Sequence, residues 1–212
     1  MTSFFRAPFV RALAGLVLTV FLLSGCESLP TLQPVTDVNA AWRKHQQDLS
    51  KFSHWTIYGR ISIRADEDAW HASVVWKQQP RQFDIRFMAP LGSGNVQLVS
   101  DGQMAALYSP GQKTRVDTDA ENLLYRHLGW RVPVSGLRYW AVGLPDPEMP
   151  AKQALDDQGR LASLLQSGWD IDFRRYRKVG KTWLPDKIFM KNQQLEVRLV
   201  IDRWEMAANL GS

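Results

Sequence analysis

Hydrophobic and polar residues follow a helical spacing at the start of the globular part of the chain and an alternating spacing afterwards. The apolar positions of the first segment are Trp42, His45, Leu49 and Phe52. Charged and amide side chains fill the positions between them, so this segment is predicted to form an amphipathic helix with one buried stripe. From Trp55 onward the spacing becomes two residues, which is typical of β-strands with one buried face.

About eleven short segments carry this alternation, and most are followed by a turn sequence with Gly, Pro, Asp or Asn. The segments are 55–64, 70–77, 83–88, 95–99, 104–108, 114–117, 152–155, 161–166, 169–176, 184–191 and 195–204. Because local turns join them in order, the strands should pair as an antiparallel meander. We therefore expect a mainly β fold, an open, half-closed antiparallel barrel of about eleven strands.

Two short helices are predicted between the strands. Asp119 can cap the first helix, which runs to His127, and Gly129 can end it. The second helix runs from Val134 to Val142 and stops before a segment that contains two prolines. Both helices are short and apolar, so we expect them to cover the opening of the sheet as a lid.

The N-terminal segment has the layout of a secretory signal peptide. Arg6 and Arg11 supply positive charge, and residues 12–23 form an apolar run that is shorter than the ~20 residues needed to cross a bilayer. The run ends in Leu-Ser-Gly-Cys at Cys26, which resembles the lipobox of bacterial lipoproteins, where the cleaved chain starts with a cysteine that carries diacylglyceryl and N-acyl groups. An uncleaved anchor or a buried thiol is the alternative for Cys26, the only cysteine.

These features divide the chain into four predicted parts. Residues 1–25 would be a cleaved signal peptide and residues 26–38 a flexible tether from the lipidated cysteine. Residues 39–205 would form a single half-barrel domain, and residues 206–212 a frayed tail.

Composition narrows the kinds of partner. The formal net charge of +5 is compatible with an anionic membrane or an acidic partner, but no Lys/Arg run or basic stripe predicts binding to nucleic acid. A single cysteine excludes an intramolecular disulfide framework, so the fold must rely on packing. Nine tryptophans and nine phenylalanines supply apolar area for it.

Catalytic and metal-binding motifs are missing from the sequence. We find no nucleophile elbow, zincin motif or Gly-rich phosphate loop, and the four histidines have no ligand spacing. The acidic segment 66–68 is more simply a solvated turn than a metal site. We therefore expect neither an enzyme nor a metal or cofactor.

The surplus of apolar side chains has two interpretations. Alternate residues of several strands are Trp, Phe, Ile or Val, so the concave face of an open barrel could receive an acyl chain, whose burial is worth ~0.8 kcal/mol per CH₂. The same aromatic residues could instead fill a closed core. Periodicity alone does not distinguish a hollow barrel from a packed one.

The connection after the third strand is unusual for a turn. It places Leu91 between Pro90 and a Gly-Ser-Gly run that starts at Gly92, although leucine is a poor turn former. Leu91 could fold back onto the sheet, or it could be an apolar tip that meets lipid or a partner.

Several segments together resemble the LolB family of outer-membrane lipoprotein receptors. They are the lipobox at Cys26, Trp-Arg-Lys-His-Gln-Gln at 42–47, Pro-Leu-Gly-Ser at 90–93, Leu-Arg-Tyr-Trp at 137–140 with Gly-Leu-Pro at 143–145, and Asp-Arg-Trp at 202–204. The resemblance implies an open eleven-stranded barrel with a helical lid, anchored at the periplasmic face of the outer membrane of a Gram-negative bacterium.

The same resemblance implies a monomer that takes lipoproteins from the periplasmic carrier LolA and inserts them into the outer membrane. Its partners would be a LolA-type carrier, the acyl chains of cargo lipoproteins and outer-membrane lipid. Pro90, Leu91 and Gly92 would form the membrane-insertion loop, with Leu91 as the residue that insertion requires. Ala89 departs from the family, which has asparagine before this proline.

For the acyl cavity, the inward face of the strands and the second lid helix suggest four candidates, Trp70, Trp76, Phe87 and Trp140. Two other functions stay open at this point. One is a structural or lipid-binding envelope lipoprotein without transfer activity, and the less favoured one is a periplasmic lipid hydrolase.

Overall fold

The structure, a computed structural model, describes residues 34–90 and 95–206. The predicted signal peptide, Cys26 and the loop residues Leu91 and Gly92 lie outside the described residues. Within the described part of the chain, no helix is long and apolar enough to span a membrane.

The strands of the described chain form one eleven-stranded sheet in the order β6-β5-β4-β3-β2-β1-β11-β10-β9-β8-β7. They are β1 (Trp55–Ala65), β2 (Asp68–Gln78), β3 (Phe83–Met88), β4 (Asn95–Ser100), β5 (Ala105–Tyr108), β6 (Arg115–Asp117), β7 (Ala151–Leu155), β8 (Leu161–Gln166), β9 (Trp169–Val179), β10 (Thr182–Lys191) and β11 (Leu195–Met206). All neighbours are antiparallel, and the sheet does not close, because β6 and β7 are its edges. The predicted open antiparallel barrel is confirmed.

The first and last strands meet in the middle of this sheet. Their register runs from Trp55 opposite Met206 to Ala65 opposite Leu195, with a shift between Tyr58 and Gly59. At that shift a Cβ on Gly59 would lie 2.3 Å from the Val200 carbonyl oxygen. Only glycine allows the two backbones to approach this closely.

The antiparallel order sends alternate connections to opposite ends of the sheet. At one end of the sheet, Ala65 pairs with both Asp68 and Leu195. We call this end the loop end, and it holds the β1–β2, β3–β4, β8–β9 and β10–β11 connections. Met88 pairs with Asn95 at the same end. The connection that contains Leu91 therefore joins two strands at the loop end.

Three helices of the described chain are α1 (Val38–Leu49), α2 (Ala120–Leu128) and α3 (Val134–Val142). Asp119 caps α2 through its side chain, and the left-handed residues Gly129 and Gly143 end α2 and α3, as the sequence predicts. In α1, the Asp37 carboxylate accepts a hydrogen bond from the Ala40 N–H at 2.9 Å, which is a normal N-cap.

The helices pack on the face of the sheet that carries the buried side chains. Trp42 and Leu49 of α1 and Trp140 of α3 join a core cluster that draws on β1, β2, β3 and β8 to β11. Leu123 of α2 packs in a second, smaller cluster with Leu98 and Leu107 of β4 and β5. This apolar face is therefore covered by three short helices, of which α3 has the largest buried share, five of its nine residues.

α1 lies directly on the turn between β7 and β8. Gly159 in this turn has φ +70, and a Cβ placed there would lie 2.6 Å from the Ala41 Cβ and 2.8 Å from the Val38 carbonyl oxygen. Val35, just before the helix, donates its N–H to the Asp157 carbonyl oxygen at 3.0 Å. The turn thus fixes the position of α1, and glycine is needed for both its backbone conformation and its size.

We predict that Gly159→Ala destabilises the protein by about 2–4 kcal/mol, because the methyl group strains the left-handed backbone and also displaces α1. The measurement is the free energy of unfolding in urea. Gly180→Ala is the matched control, since Gly180 has φ +59 but no atom within 4 Å of a Cβ. The control should lose about 1 kcal/mol, and equal losses in the two variants would contradict the contact with α1.

Candidate functional site

Three of the four predicted acyl-cavity residues lie on one face of neighbouring strands. Trp70 and Trp76 are on the same side of β2. Val74 lies between them on that side, and Phe87 of β3 pairs with Val74. All three belong to, or pack against, the core cluster. The structure therefore places these three side chains on the inner, helix-covered face of the sheet.

Burial on this face changes along β2. Trp70 and Phe87 are only partly buried and make an edge-to-face contact with ring centroids 5.6 Å apart. Trp76 is 6 % exposed and packs against Trp55 with centroids 4.9 Å apart. The Trp70–Phe87 pair lies toward the loop end, so the inner face is least tightly packed near the β3–β4 connection.

Trp140, the fourth candidate, is held inside the core by α3. It is 1 % exposed, its indole N–H donates to the Gln166 Oε1 at 2.8 Å, and its ring lies 6.3 Å from that of Trp169. Its contacts are with β8 and β9, whereas Trp70 and Phe87 contact each other on β2 and β3. All four candidates belong to, or pack against, the same core cluster, but Trp140 and the Trp70–Phe87 pair lie in different parts of it.

Gln166 is a buried polar residue beneath α3 that bonds several neighbours. No motif in the sequence predicts this role. The side chain is 3 % exposed, accepts from the Trp140 indole and the Asp146 N–H, and donates to the carbonyl oxygens of Asp146 and Met149 at 2.9 Å. Because the oxygen accepts two hydrogen bonds and the nitrogen donates two, this buried amide fixes the positions of its neighbours. It ties the segment after α3 to the end of β8.

Three cavities on the described surface are lined by residues other than the four candidates. A mainly apolar one of about 300 Å³ lies between the end of α1, α3 and the start of β1. One of about 670 Å³ lies at the loop end between α2, α3 and the β8–β9 and β10–β11 turns. A third, of about 740 Å³, lies along β7, β8 and β9.

The predicted insertion loop is only partly described. Pro90 is exposed, and Leu91 and Gly92 lie outside the described residues. Among the described residues no group of His, Cys, Asp and Glu side chains could hold a metal ion.

The His45 side chain of α1 packs against other rings, as its place on the apolar stripe predicts. Its ring centroid lies 6.1 Å from that of Trp42 and 6.5 Å from that of Tyr176. The buried Nε2 has no hydrogen-bond partner among the described residues. Burial lowers the pKa of His45 to about 4, and the positive charge of Arg160 contributes in the same direction.

Arg160 is a positively charged residue close to His45 and Tyr176. Its guanidinium pairs with the Asp156 carboxylate at 2.7 Å and lies 4.7 Å above the Tyr176 ring. The Tyr176 hydroxyl donates to the Leu161 carbonyl oxygen at 2.8 Å, and burial raises the pKa of this tyrosine. These contacts fix the Tyr176 ring, against which His45 of α1 packs.

A half-barrel with an apolar inner face and short covering helices is a fold that also occurs in a solved LolA superfamily protein. A LolA superfamily protein from Nitrosomonas europaea superposes with a TM-score of 0.53, covering 82% of this chain and 95% of that chain. The two sequences are 7% identical, so this similarity concerns the fold.

The sequence comparison is more specific. The family model described as outer membrane lipoprotein LolB matches residues 53–204, and this chain therefore belongs to the LolB family. The outer-membrane lipoprotein LolB of Nitrosococcus oceani is 38% identical over 92% of this chain and 97% of its own length. That of Pseudomonas savastanoi pv. phaseolicola is 37% identical over 88% and 92%. The resemblance noted in the sequence is confirmed.

Acidification should weaken the packing of His45. The imidazole is charged in the unfolded chain below pH 6.5 but only below about 4 in the folded protein, so its stabilising contribution is complete above pH 6.5 and is lost as the pH falls toward 4. The wild-type protein should therefore lose free energy of unfolding when the pH is lowered from 7.5 to 5. We predict that the His45→Phe variant loses about 1–2 kcal/mol less over the same range.

Urea unfolding at the two pH values measures this effect. His71→Phe, at an exposed position of β2, is the control and should keep the wild-type dependence on pH. A wild-type dependence that persists in His45→Phe would show that His45 is not its source.

Proposed function

We propose that this protein receives lipoproteins from a LolA-type periplasmic carrier and inserts them into the outer membrane. The observation that carries the proposal is the match to the LolB family over residues 53–204, which spans all of the sheet except its last two residues. The fold supports it, because an open sheet with an apolar inner face offers a place for acyl chains.

The acyl chains would lie between the sheet and its helices, beginning at the partly buried Trp70–Phe87 pair. This pair is accessible enough for a ligand to reach, whereas Trp76 and Trp140 are 6 % and 1 % exposed. In this proposal Trp76 and Trp140 form the deep wall, which a chain reaches when the covering helices move. The moving units would be small, since α2 and α3 are nine residues each.

Delivery would occur at the loop end. The β3–β4 connection with Pro90, Leu91 and Gly92 follows directly from β3, the strand that carries Phe87. An apolar side chain at this end could enter the membrane interface next to the place where acyl chains leave the inner face. We assign Leu91 this role.

Cys26 would anchor the protein by its lipid. Among the described residues the chain already contacts the body at Val35, which donates its N–H to the Asp157 carbonyl oxygen, so the tether that we propose would run from Glu27 to Pro34. At ~3.5 Å per extended residue, it keeps the body within about 30 Å of the membrane. The protein would then be a stationary monomeric acceptor that receives cargo from a diffusing carrier.

The proposed transfer involves no covalent chemistry. Cargo moves toward the site that binds its acyl chains more tightly, so differential affinity sets the direction. We include no enzymatic step, cofactor or nucleic acid in the proposal.

Phe87→Ala should weaken binding of a fluorescent fatty-acid probe about five- to tenfold, because the ring provides apolar contact on the inner face. Probe titration of the purified protein is the measurement. Phe189→Ala is the matched control, since Phe189 is also partly buried but lies among Arg174, Lys187 and Arg198 on the outer face. Equal weakening by both substitutions would count against binding on the inner face.

Leu91→Glu should abolish insertion of cargo while leaving uptake from the carrier intact, because a charged tip does not enter apolar lipid. A reporter lipoprotein is followed from carrier to protein to membrane vesicles in vitro, and by membrane fractionation in cells depleted of the native protein. Leu165→Glu, at an outward position that is 51% exposed, should behave as wild type. Normal sorting with Leu91→Glu would refute the role of the tip.

The same transfer assay tests the function as a whole. A structural envelope lipoprotein would take no cargo from the carrier, and a lipid hydrolase would release fatty acid with time. Either result would contradict the proposal.

A further inference from the structure

The 670 Å³ cavity at the loop end differs in chemistry from the apolar inner face. It lies between α2, the start of α3, and the β8–β9 and β10–β11 turns. Its walls carry the side-chain amides of Asn122, Gln193 and Gln194. These three amides make no hydrogen bond to the described residues, so their donors and acceptors are available to a ligand.

Asp146 gives this cavity a buried charge. The residue lines the cavity and is only 8 % exposed. Its Oδ1 accepts from the Glu148 N–H at 3.1 Å, while its Oδ2 accepts no hydrogen bond from the described residues. Oδ2 is not one of the fully buried atoms without a partner, so it is open to the cavity and can accept from a ligand N–H or ammonium group.

The position of the Asp146 carboxylate is fixed through its backbone by Gln166. Gln166 accepts from the Asp146 N–H at 2.8 Å and donates to its carbonyl oxygen at 2.9 Å. The acceptor is therefore held in place before a ligand arrives, which lowers the entropic cost of binding.

The other two charged residues that line the cavity, Glu121 and Arg131, are partly engaged within the protein. Glu121 Oε1 accepts from the N–H and the hydroxyl of Ser135 at 3.2 and 2.9 Å. The Arg131 guanidinium lies 4.1 Å above the Tyr125 ring. What remains for a ligand is an amide-lined space in which Asp146 is the least exposed charged residue.

Such a lining suits a short peptide. Side-chain amides both donate and accept, and so they match the alternating N–H and C=O groups of an extended backbone. The volume lies within the range of ligand sites, about 300–1,000 Å³. Trp169 lines the cavity and also contacts Trp140, so the cavity borders on the inner face where the acyl chains would lie.

We propose that this cavity binds the peptide segment that directly follows the acylated cysteine of the cargo. This inference rests on the proposed transfer function and adds a recognition site for the part of the cargo that every lipoprotein presents next to its acyl chains. Asp146 accepts a hydrogen bond from a backbone N–H or a lysine of that segment, and the amides hold its backbone.

Photolabelling tests the site with a synthetic diacylated Cys-Ser-Lys-Lys lipopeptide and the full-length protein in non-ionic detergent. A photoreactive diazirine is placed either on the residue after cysteine or at the end of one acyl chain. The peptide probe should label segments 121–135 and 192–194, and unlabelled lipopeptide should compete with it. The acyl probe should label the inner face instead.

Asp146→Asn keeps the Oδ1 acceptor and the side-chain volume, and it should lower labelling by the peptide probe about tenfold while labelling by the acyl probe changes less than twofold. Gln194→Ala, whose side chain is exposed, should lower peptide labelling several-fold without affecting folding. Gln153→Ala, at an exposed position of β7, is the control and should label as wild type.

Three results would overturn the site: peptide labelling outside the cavity, undiminished labelling in both variants, or an equal decrease for both probes. Transfer from the carrier, measured with the same preparations, separates this inference from the proposed function. Cavity labelling without transfer contradicts only the function, and transfer without cavity labelling contradicts only the peptide site.

Discussion

The pairing of the first strand with the last is the contact on which the rest of the structure depends. β1 and β11 meet along their whole length at the centre of the sheet, although the chain between them forms every other strand. Their close approach requires a glycine at Gly59, where any Cβ would meet the Val200 carbonyl oxygen. Because such a pairing joins distant residues, it carries the entropic cost of a long loop closure and forms only together with the core.

An open sheet of this kind leaves an apolar face that must be covered. The covering comes from three short helices of the described chain, each anchored by specific contacts: α1 on the Gly159 turn, α2 through Leu123, and α3 through the bond between Trp140 and Gln166. A cover made of small units with separate attachments can open locally without unfolding the sheet. This property suits the proposed uptake and release of acyl chains.

The loop end brings together three features that the chain order keeps apart. The partly buried Trp70–Phe87 pair, the connection after β3 and the amide-lined cavity around Asp146 all lie there. In the proposed function, acyl chains, membrane contact and cargo peptide are each handled at this end. The opposite end holds the α1 contacts, where packing around His45 and Arg160 serves stability.

The sequence by itself determined the local elements, the inward face of β2 and β3, and the family, because alternation, caps such as Asp119 and short motifs are local or linear signals. It also identified His45 as a packed ring. The tertiary structure decided which elements meet. Trp140 contacts Trp169 and Gln166 rather than Trp70, and Asp146, an ordinary residue of a Pro-rich turn in the sequence, becomes the buried acceptor of a cavity. Such contacts depend on how helices settle on a curved sheet, and no spacing along the chain encodes that geometry.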